Sequence, residues 1–268
     1  MSMDAIPIGV LFAATFAVVL MAIEAGYRLG RAVSRRSEGE KEAPASASTA
    51  ATLGLLAFML AFTFGMVASR FDARKGLVRD EANAIRTAWL RTALLPEPDR
   101  AEAAGLLRDY VDQRVAAVQS LDLDRINAAM AESVRIQRRL WDQAVELSRK
   151  NSQAASLYLP PLNEVINIHA MRVGTGLLAR VPGGIWLVLY ALILLGMIGV
   201  GYQTAIAGSR RSWATSIVAL AFSLVISLIA VLDRPQSGFI TVSQQPLADL
   251  RDAMGAGSAA PSGRGEKP

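Results

Sequence analysis

The stretch from Ala57 to Arg91, AFMLAFTFGMVASRFDARKGLVRDEANAIRTAWLR, decides the fold. Its first third is apolar enough for hydrocarbon and the remainder is rich in Arg, Asp and Glu, yet no helix breaker stands between the two parts except a lone Gly76, and nothing ends the helix before Pro96. The pattern predicts one helix that crosses a membrane and continues beyond it. From Leu53 to Leu94 such a helix extends about 60 Å at the standard rise per residue.

The rest of the chain also alternates between apolar and polar blocks. Its 268 residues are 52% hydrophobic, with a mean hydropathy of +0.32, although 19% of them are charged. Four blocks are long enough to cross about 30 Å of hydrocarbon. The first lacks the positive start of a signal peptide and is interpreted as a retained span. The predicted spans are Ala5 to Ile23, Ala51 to Ser69, Gly183 to Tyr202 and Trp213 to Leu232.

These spans divide the chain into six regions. The first is a transmembrane helix with a charged, flexible connector (1–50), and the second span (51–69) is a candidate pore helix. An extramembrane helical bundle (70–182) precedes the third and fourth spans (183–232). A post-membrane segment (233–254), in which SGFITV has strand-like composition, leads to a disordered tail (255–268).

Helical periodicity predicts that the extramembrane region is all α-helix. Pro96 and Pro98 end the long helix, and Asp99 with Glu102 resembles a capping box that begins the next. Pro160 and Pro161 are expected to break the chain before a helix from Leu162 to Val173. The predicted buried stripes are Leu77, Ile85, Ala88 and Leu95; Leu107, Val111, Val115 and Val118; and Ile126, Met130, Val134, Trp141 and Val145. The predicted fold is therefore an all-α, four-span membrane protein with a helical bundle.

The residue types needed for common catalytic sites are nearly absent. The chain has no Cys and a single His, His169, interpreted as a histidine of the bundle, so no metal site, cofactor or catalytic residue is predicted. The carboxylate pairs Asp80/Glu81 and Asp122/Asp124 are interpreted as solvated. Basic patches with interleaved aromatics, which nucleic-acid binding needs, are missing. The spans contain no ionisable residue, which disfavours coupled pumping and leaves a passive pore or a bundle without a pore.

The second span carries two stripes that point to helix association. Small residues, which let helices approach closely in lipid, lie on one face, and large apolar side chains follow on the neighbouring face. Around a shared axis the large side chains would form an apolar constriction. Alternatively, they face lipid or the protomer's own bundle. The small residues are Gly54, Ala57, Ala61 and Gly65, and the large ones are Phe58, Phe62 and Met66.

Arginine and lysine near the spans predict the orientation in a bacterial inner membrane. The two short connectors are basic and the N-terminal stub is not, which favours an N-terminus outside the cytoplasm. Basic residues at the end of the second span, on the opposite side, weigh against this orientation. The connectors hold Arg28, Arg31, Arg35, Arg36, Lys41, Arg210 and Arg211, whereas Arg70, Arg74, Lys75 and Arg79 follow the second span.

Three stretches resemble the bacterial bestrophin-like domain family: RFDARKGLVRDEANAI after the second span, LPPLNE before the third, and DRPQSGFITVSQQP after the fourth. The resemblance implies a likeness to bestrophins, which are pentameric anion channels with four spans and an apolar neck on the second helix. Phe58, Phe62 and Met66 match the neck positions. Bestrophins place both termini in the cytosol, contrary to the charge count, and the acidic calcium cluster of animal members has no counterpart in this sequence.

The resulting hypothesis is a passive, anion-conducting channel built as a homopentamer, with membrane lipid and inorganic ions as its other partners. Arg70, Arg74 and Lys75 would supply positive potential at the pore mouth, or would bind lipid phosphate. A non-conducting scaffold or signalling protein that binds a partner through residues 70–182 is the main alternative. An enzyme acting on lipid through His169 and Glu164 is a third.

Overall fold

The structure is a computed structural model that describes residues 6–35, 42–119, 123–175, 180–208, 213–234 and 241–258. These residues form helices and connections, with no strand among them, which confirms the all-α prediction. Most of SGFITV and Asp122 lie outside the described residues. The helices are α1 Ile8–Ser34, α2 Glu42–Arg91, α3 Asp99–Gln119, α4 Leu123–Lys150, α5 Ser152–Val173, α6 Gly183–Ile206, α7 Ala214–Asp233 and α8 Gln245–Ser258, with a short 3-10 helix at Thr92–Leu94.

The chain divides into two compact units. The membrane unit comprises Met1–Asp72 and Ala179–Thr241, and the helical unit comprises Ala73–Leu178 and Val242–Pro268. Helix α2 supplies residues to both, because it continues without a break through the end of its apolar part. The predicted continuous helix is confirmed.

Four helices of the described chain are long and apolar enough to cross a membrane, as predicted. They include Ile8–Ser34, Ala45–Leu94, Gly183–Ile206 and Thr215–Asp233. The connector between the first two is shorter than the sequence indicated, because α2 already begins at Glu42. Its Ala-rich start favours helix, and the Thr49 hydroxyl donates to the Ala45 carbonyl oxygen at 3.0 Å.

Glycines let α1 and α6 pack backbone against backbone in the membrane unit. A Cβ atom at Gly26 would collide with the carbonyl oxygen of Ile198, and one at Gly201 would collide with that of Ile23. At Gly30 a Cβ would lie 2.7 Å from the Tyr202 carbonyl oxygen. Close approach of this kind is how helices associate in lipid, where water does not drive them together.

The helical unit has its own apolar core, largely at the predicted positions. Ile85, Ala88 and Leu95 are buried, and Leu77 packs against the same core. On α3, the predicted stripe of Leu107, Val111 and Val115 is buried, whereas the side chain of Val118 lies outside the described part of the structure.

The break expected at Pro160 and Pro161 is wrong, because α5 runs through both prolines. A proline at 161 has no N–H to donate to the carbonyl oxygen of residue 157, which would leave that oxygen unsatisfied. Arg91 of α2 donates its Nη1–H to the Leu157 oxygen at 2.6 Å. A side chain 66 residues away thus replaces the missing helical hydrogen bond.

The predicted face of α4 is also partly wrong. Ile126 is buried, but Val134 and Trp141 are exposed, and Met130 and Val145 are half-buried. The buried face is rotated by about a quarter turn and includes two polar residues, which the apolar periodicity could not identify. That face comprises Ser133, Ile136, Gln137, Leu140, Ala144 and Leu147.

The packing of α1 on α6 predicts that Gly26→Ala destabilises the protein by about 1–3 kcal/mol, because the added methyl overpacks a backbone contact. Unfolding temperature in detergent measures the effect. Gly9→Ala in the same helix is the matched control, since a Cβ there meets nothing within 4 Å. Equal unfolding temperatures for the two variants would contradict the close α1–α6 contact.

Candidate functional site

The membrane part of α2 buries one face and exposes the other. Leu56, Thr63 and Val67 are fully buried in the membrane unit. On the opposite face, Phe58 is 65% exposed and Phe62 is 57% exposed. At about 100° per residue, Phe58 points almost directly away from the buried face. The two aromatics therefore do not pack in their own bundle, which removes one of the alternatives left by the sequence.

Met66, the third predicted member of the constriction, is half-buried at the edge of the exposed face. Leu55 lies nearer to the two phenylalanines around the helix and is 52% exposed. Leu55, Phe58 and Phe62 are thus the residues of this apolar stripe that are more than half exposed.

The small residues of α2 lie on the same exposed side, adjacent to the aromatics. Gly54, Ala57, Ala61 and Gly65 are all exposed. A Cβ at Gly54 or Gly65 would meet nothing within 4 Å, unlike one at the glycines of α1 and α6. Within one protomer the small-residue stripe therefore makes no close helix contact.

The three basic residues predicted at the pore mouth have different environments. Arg74 is only 6% exposed and follows Val67 by two helical turns, so it extends the buried face of α2. Arg70 is half-buried, and Lys75 is exposed. Of the three, only Lys75 has the full access to solvent that a pore-mouth charge needs.

A buried carboxylate, Glu81, anchors the polar part of α2 in the helical unit. The residue lies three turns beyond Ser69, where the apolar stretch ends, and is 0% exposed. Arg114 Nε on α3 donates to Glu81 Oε1 at 2.9 Å, and Arg172 Nη1 on α5 donates to Oε2. Two arginines from two helices therefore neutralise one carboxylate inside the bundle.

The Tyr110 hydroxyl completes this cluster and fixes its proton positions. It lies 3.0 Å from Glu81 Oε1, 3.0 Å from His169 Nδ1 and 3.2 Å from Gln137 Nε2. A carboxylate only accepts and an amide nitrogen only donates, so the hydroxyl proton goes to Glu81 while Gln137 donates to the hydroxyl oxygen. His169 must then carry its proton on Nδ1 and donate as well, which saturates the hydroxyl.

Arg172 extends the cluster to the segment before α8. Its Nη2 donates to Gln244 Oε1 at 3.0 Å, and Gln244 Nε2 donates to the Val242 carbonyl oxygen at 3.0 Å. One connected network thus joins α2, α3, α4, α5 and the post-membrane segment. All of these residues belong to the helical unit.

The charges in the cluster set its protonation at neutral pH. Burial raises the pKa of the Glu81 carboxyl, but Arg114, Arg172 and the hydrogen bonds outweigh burial and hold that pKa below its ordinary value. Burial, together with the positive charge of Arg114, lowers the pKa of His169 to about 4. Burial and the Glu81 charge raise the pKa of the Tyr110 hydroxyl. The cluster therefore contains an ionised carboxylate, a neutral histidine and a protonated tyrosine.

The interpretation of Glu81 as a solvated carboxylate is wrong, whereas its neighbour Asp80 is exposed as expected. A seven-residue repeat in the sequence carries the missing signal, because residues at this spacing share one face of a helix. Five residues of α2 at this spacing are buried: Leu60, Val67, Arg74, Glu81 and Ala88.

The residues of the hypothetical lipid-directed enzyme are not brought together. His169 is buried in the bundle, as predicted, and bonded to Tyr110, whereas Glu164 is exposed. Five residues apart on one helix, they point about 140° away from each other. This arrangement gives no acid–base pair.

Fold and site together define an all-α integral membrane protein with four spans and a helical unit outside the membrane. The Bestrophin-like domain profile matches residues 14–247, most of the sequence. The chain belongs to the bestrophin-like family. A search of curated proteins finds no match.

Solved structures of bacterial bestrophin homologues share this fold. One variant of the homologue from Klebsiella pneumoniae is 16% identical, with a TM-score of 0.66 over 94% of this chain and 99% of the other. A second variant is 17% identical, with a TM-score of 0.60 over 92% of this chain and 97% of the other. The structure of a membrane protein variant is 16% identical, with a TM-score of 0.62 over 97% and 99%. At such identities the similarity establishes the fold alone, and it confirms the bestrophin-like architecture.

The buried network predicts that Glu81→Ala destabilises the helical unit by about 3–5 kcal/mol, because two arginines lose their counter-charge inside the bundle. Chemical unfolding in detergent, followed by circular dichroism, measures the change. Asp80→Ala removes an exposed carboxylate from the next position and should change stability by no more than about 0.5 kcal/mol. Similar losses in both variants would contradict the anchoring role of Glu81.

Proposed function

We propose that this protein is a passive ion channel in which identical protomers, five in number, surround a central pore lined by α2. The exposure of Phe58 and Phe62, on the side of α2 opposite its buried face, carries the proposal. Two large aromatics exposed one turn apart in every protomer become two adjacent rings around a shared axis. The pentameric number follows the likeness to bestrophins.

In such an assembly the two exposed stripes of α2 have different roles. The aromatic stripe faces the axis, and the adjacent Gly54, Ala57, Ala61 and Gly65 face the neighbouring protomer, where small side chains permit close helix packing. The absence of any close contact to a Cβ at Gly54 or Gly65 within one protomer supports this arrangement.

The phenylalanine rings form an apolar constriction that gates by excluding water. Met66 contributes at the edge of the constriction, where it is half-buried. The Glu81 cluster holds the polar part of α2 against the rest of the helical unit, so the helix has a fixed rotation about its own axis. A pore helix needs a fixed rotation, because turning α2 by about 100° would bring the small-residue stripe to the axis in place of the aromatic stripe.

The exposed charges beyond the span support only a weak preference for anions. Lys75 and Arg79 are exposed, but so are Asp72 and Asp80, and these four charges cancel. Arg70, on the same part of the helix, is half-buried. In this proposal the N-terminus lies outside the cytoplasm, which the Lys and Arg count of the connectors favours.

The gate predicts that Phe62→Ala raises the current through purified protein in planar bilayers by at least about tenfold, equivalent to about 1.4 kcal/mol of barrier. Phe64→Ala is the matched control, because Phe64 lies on the same helix but about 160° from Phe62. It should leave the current unchanged.

Three results would contradict this proposal, the first its gate and the other two the channel itself. Equal currents in the two variants would show that the rings do not gate. A protomer that remains single in native mass spectrometry would remove the shared axis. Silence of the wild type and both variants under all ionic conditions would favour the non-conducting scaffold, for which exposed Val134 and Trp141 on α4 offer a partner surface.

The charge proposal predicts that Lys75→Glu, which reverses an exposed charge, lowers chloride permeability relative to potassium by about threefold. This factor corresponds to about 0.6 kcal/mol, the Coulomb energy of two unit charges about 7 Å apart in water. Reversal potentials in a potassium chloride gradient measure the ratio. Lys150→Glu makes the same change at the exposed end of α4 and should have no effect. An unchanged ratio in Lys75→Glu would contradict the pore-mouth role of Lys75.

A further inference from the structure

The membrane unit contains a cavity of about 240 Å³ between α1, α6 and α7. Leu20, Ile23 and Tyr27 line it from α1, Gly201 and Thr204 from α6, and Thr215 from α7. At about 30 Å³ per water, the volume corresponds to roughly eight water molecules. This suits a headgroup and its glycerol rather than a whole lipid.

The cavity lies at the level where a membrane meets water. Trp213, directly before α7, is 79% exposed, and Tyr27 and Tyr202 are half-buried near the ends of their helices. Tryptophan and tyrosine concentrate at this level because one part of the ring is apolar and the other polar. An occupant would therefore meet both a polar and an apolar environment.

The charged side chain that lines the cavity is Glu24, and two arginines of α1 follow it along the helix. Leu20, Glu24, Tyr27 and Arg31 follow one another at helical spacing, so Arg31 lies on the face of α1 that lines the cavity, one turn beyond it. Its guanidinium lies over the Tyr27 ring at 5.9 Å from the centroid. Arg28, on a neighbouring face, donates from Nε to Glu24 Oε1 at 2.7 Å.

The net charge at this end of α1 is positive. Glu24 lines the cavity, and its charge is balanced by Arg28. Arg31 and Arg35 are exposed about one and two turns beyond Tyr27, so this part of α1 carries a net positive charge next to the cavity. Arginine binds phosphate oxygens in a bidentate manner, which fits a phosphodiester better than a neutral group.

We infer that this cavity binds the headgroup of an anionic phospholipid, with Arg31 on the phosphate and the glycerol beside Thr204 and Thr215. The acyl chains leave along the apolar wall formed by Leu20 and Ile23. The lipid comes from the surrounding membrane, and the positive charge of Arg31 favours an anionic headgroup over a neutral one. The inference stands apart from conduction, since it concerns α1, α6 and α7 and not the exposed face of α2.

Native mass spectrometry of the purified protein, released from mixed micelles with phosphatidylglycerol and phosphatidylcholine, tests the inference. The wild type should retain about one phosphatidylglycerol per protomer in preference to phosphatidylcholine. Arg31→Gln should lower that retention by about tenfold, as expected for one charge-assisted contact. Arg138→Gln removes an exposed arginine of α4 in the helical unit and should retain the lipid as the wild type does.

A second variant tests the cavity itself without changing its charge. Leu20→Trp fills the apolar wall and should also abolish retention of phosphatidylglycerol. Equal retention of both lipids by the wild type, or unchanged retention in Arg31→Gln or Leu20→Trp, would overturn the inference. Displacement of the lipid by millimolar inorganic phosphate would also overturn it, because the site would then recognise free phosphate alone.

Discussion

The buried carboxylate of Glu81 is the constraint on which the helical unit depends. An ionised group with no access to water is tolerated only where opposite charges and hydrogen bonds surround it. Here the partners come from different helices: Arg114 and Tyr110 from α3, and Arg172 from α5. Apolar contacts alone would permit α2 to slide or turn against its neighbours. A directional network permits one register, which gives the polar cluster a role in specificity more than in net stability.

The two sides of α2 have different environments within the protomer: one is buried and the other is exposed. Its buried side repeats every seven residues from Leu60 to Ala88, and it passes from apolar to charged residues and back to apolar ones while remaining buried. Its exposed side, with Phe58 and Phe62, has no partner within the protomer. One side therefore determines how the protomer folds, and the other is available for assembly, so a substitution in α2 affects folding or assembly according to its angular position on the helix.

Much of this architecture was predictable from the sequence, and the failures have identifiable causes. The four spans and the unbroken α2 follow from hydropathy and the lack of helix breakers, both local properties. The buried face of α4 does not, because two of its residues are polar: Ser133 donates to the Ala129 carbonyl oxygen of its own helix, and Gln137 donates to Tyr110 of α3. Glu81 is polar as well, and in the sequence only its place in the seven-residue repeat indicates its burial. The sequence shows the exposed face of α2 as a stripe of large apolar side chains. It does not show that this face has no partner within the protomer, because that depends on how α1, α6 and α7 pack.

The hydrogen bond from Arg91 to the Leu157 carbonyl oxygen has a consequence for the history of the family. The proline at 161 removes a donor from α5, and the arginine on α2 supplies a substitute. Neither residue is advantageous alone. Without the arginine, the proline would leave the Leu157 carbonyl oxygen without a hydrogen bond, and without the proline, the arginine would have no free carbonyl oxygen to bind. Positions 91 and 161 should therefore covary among related sequences. Where position 161 is not proline, other residues should replace the arginine at position 91.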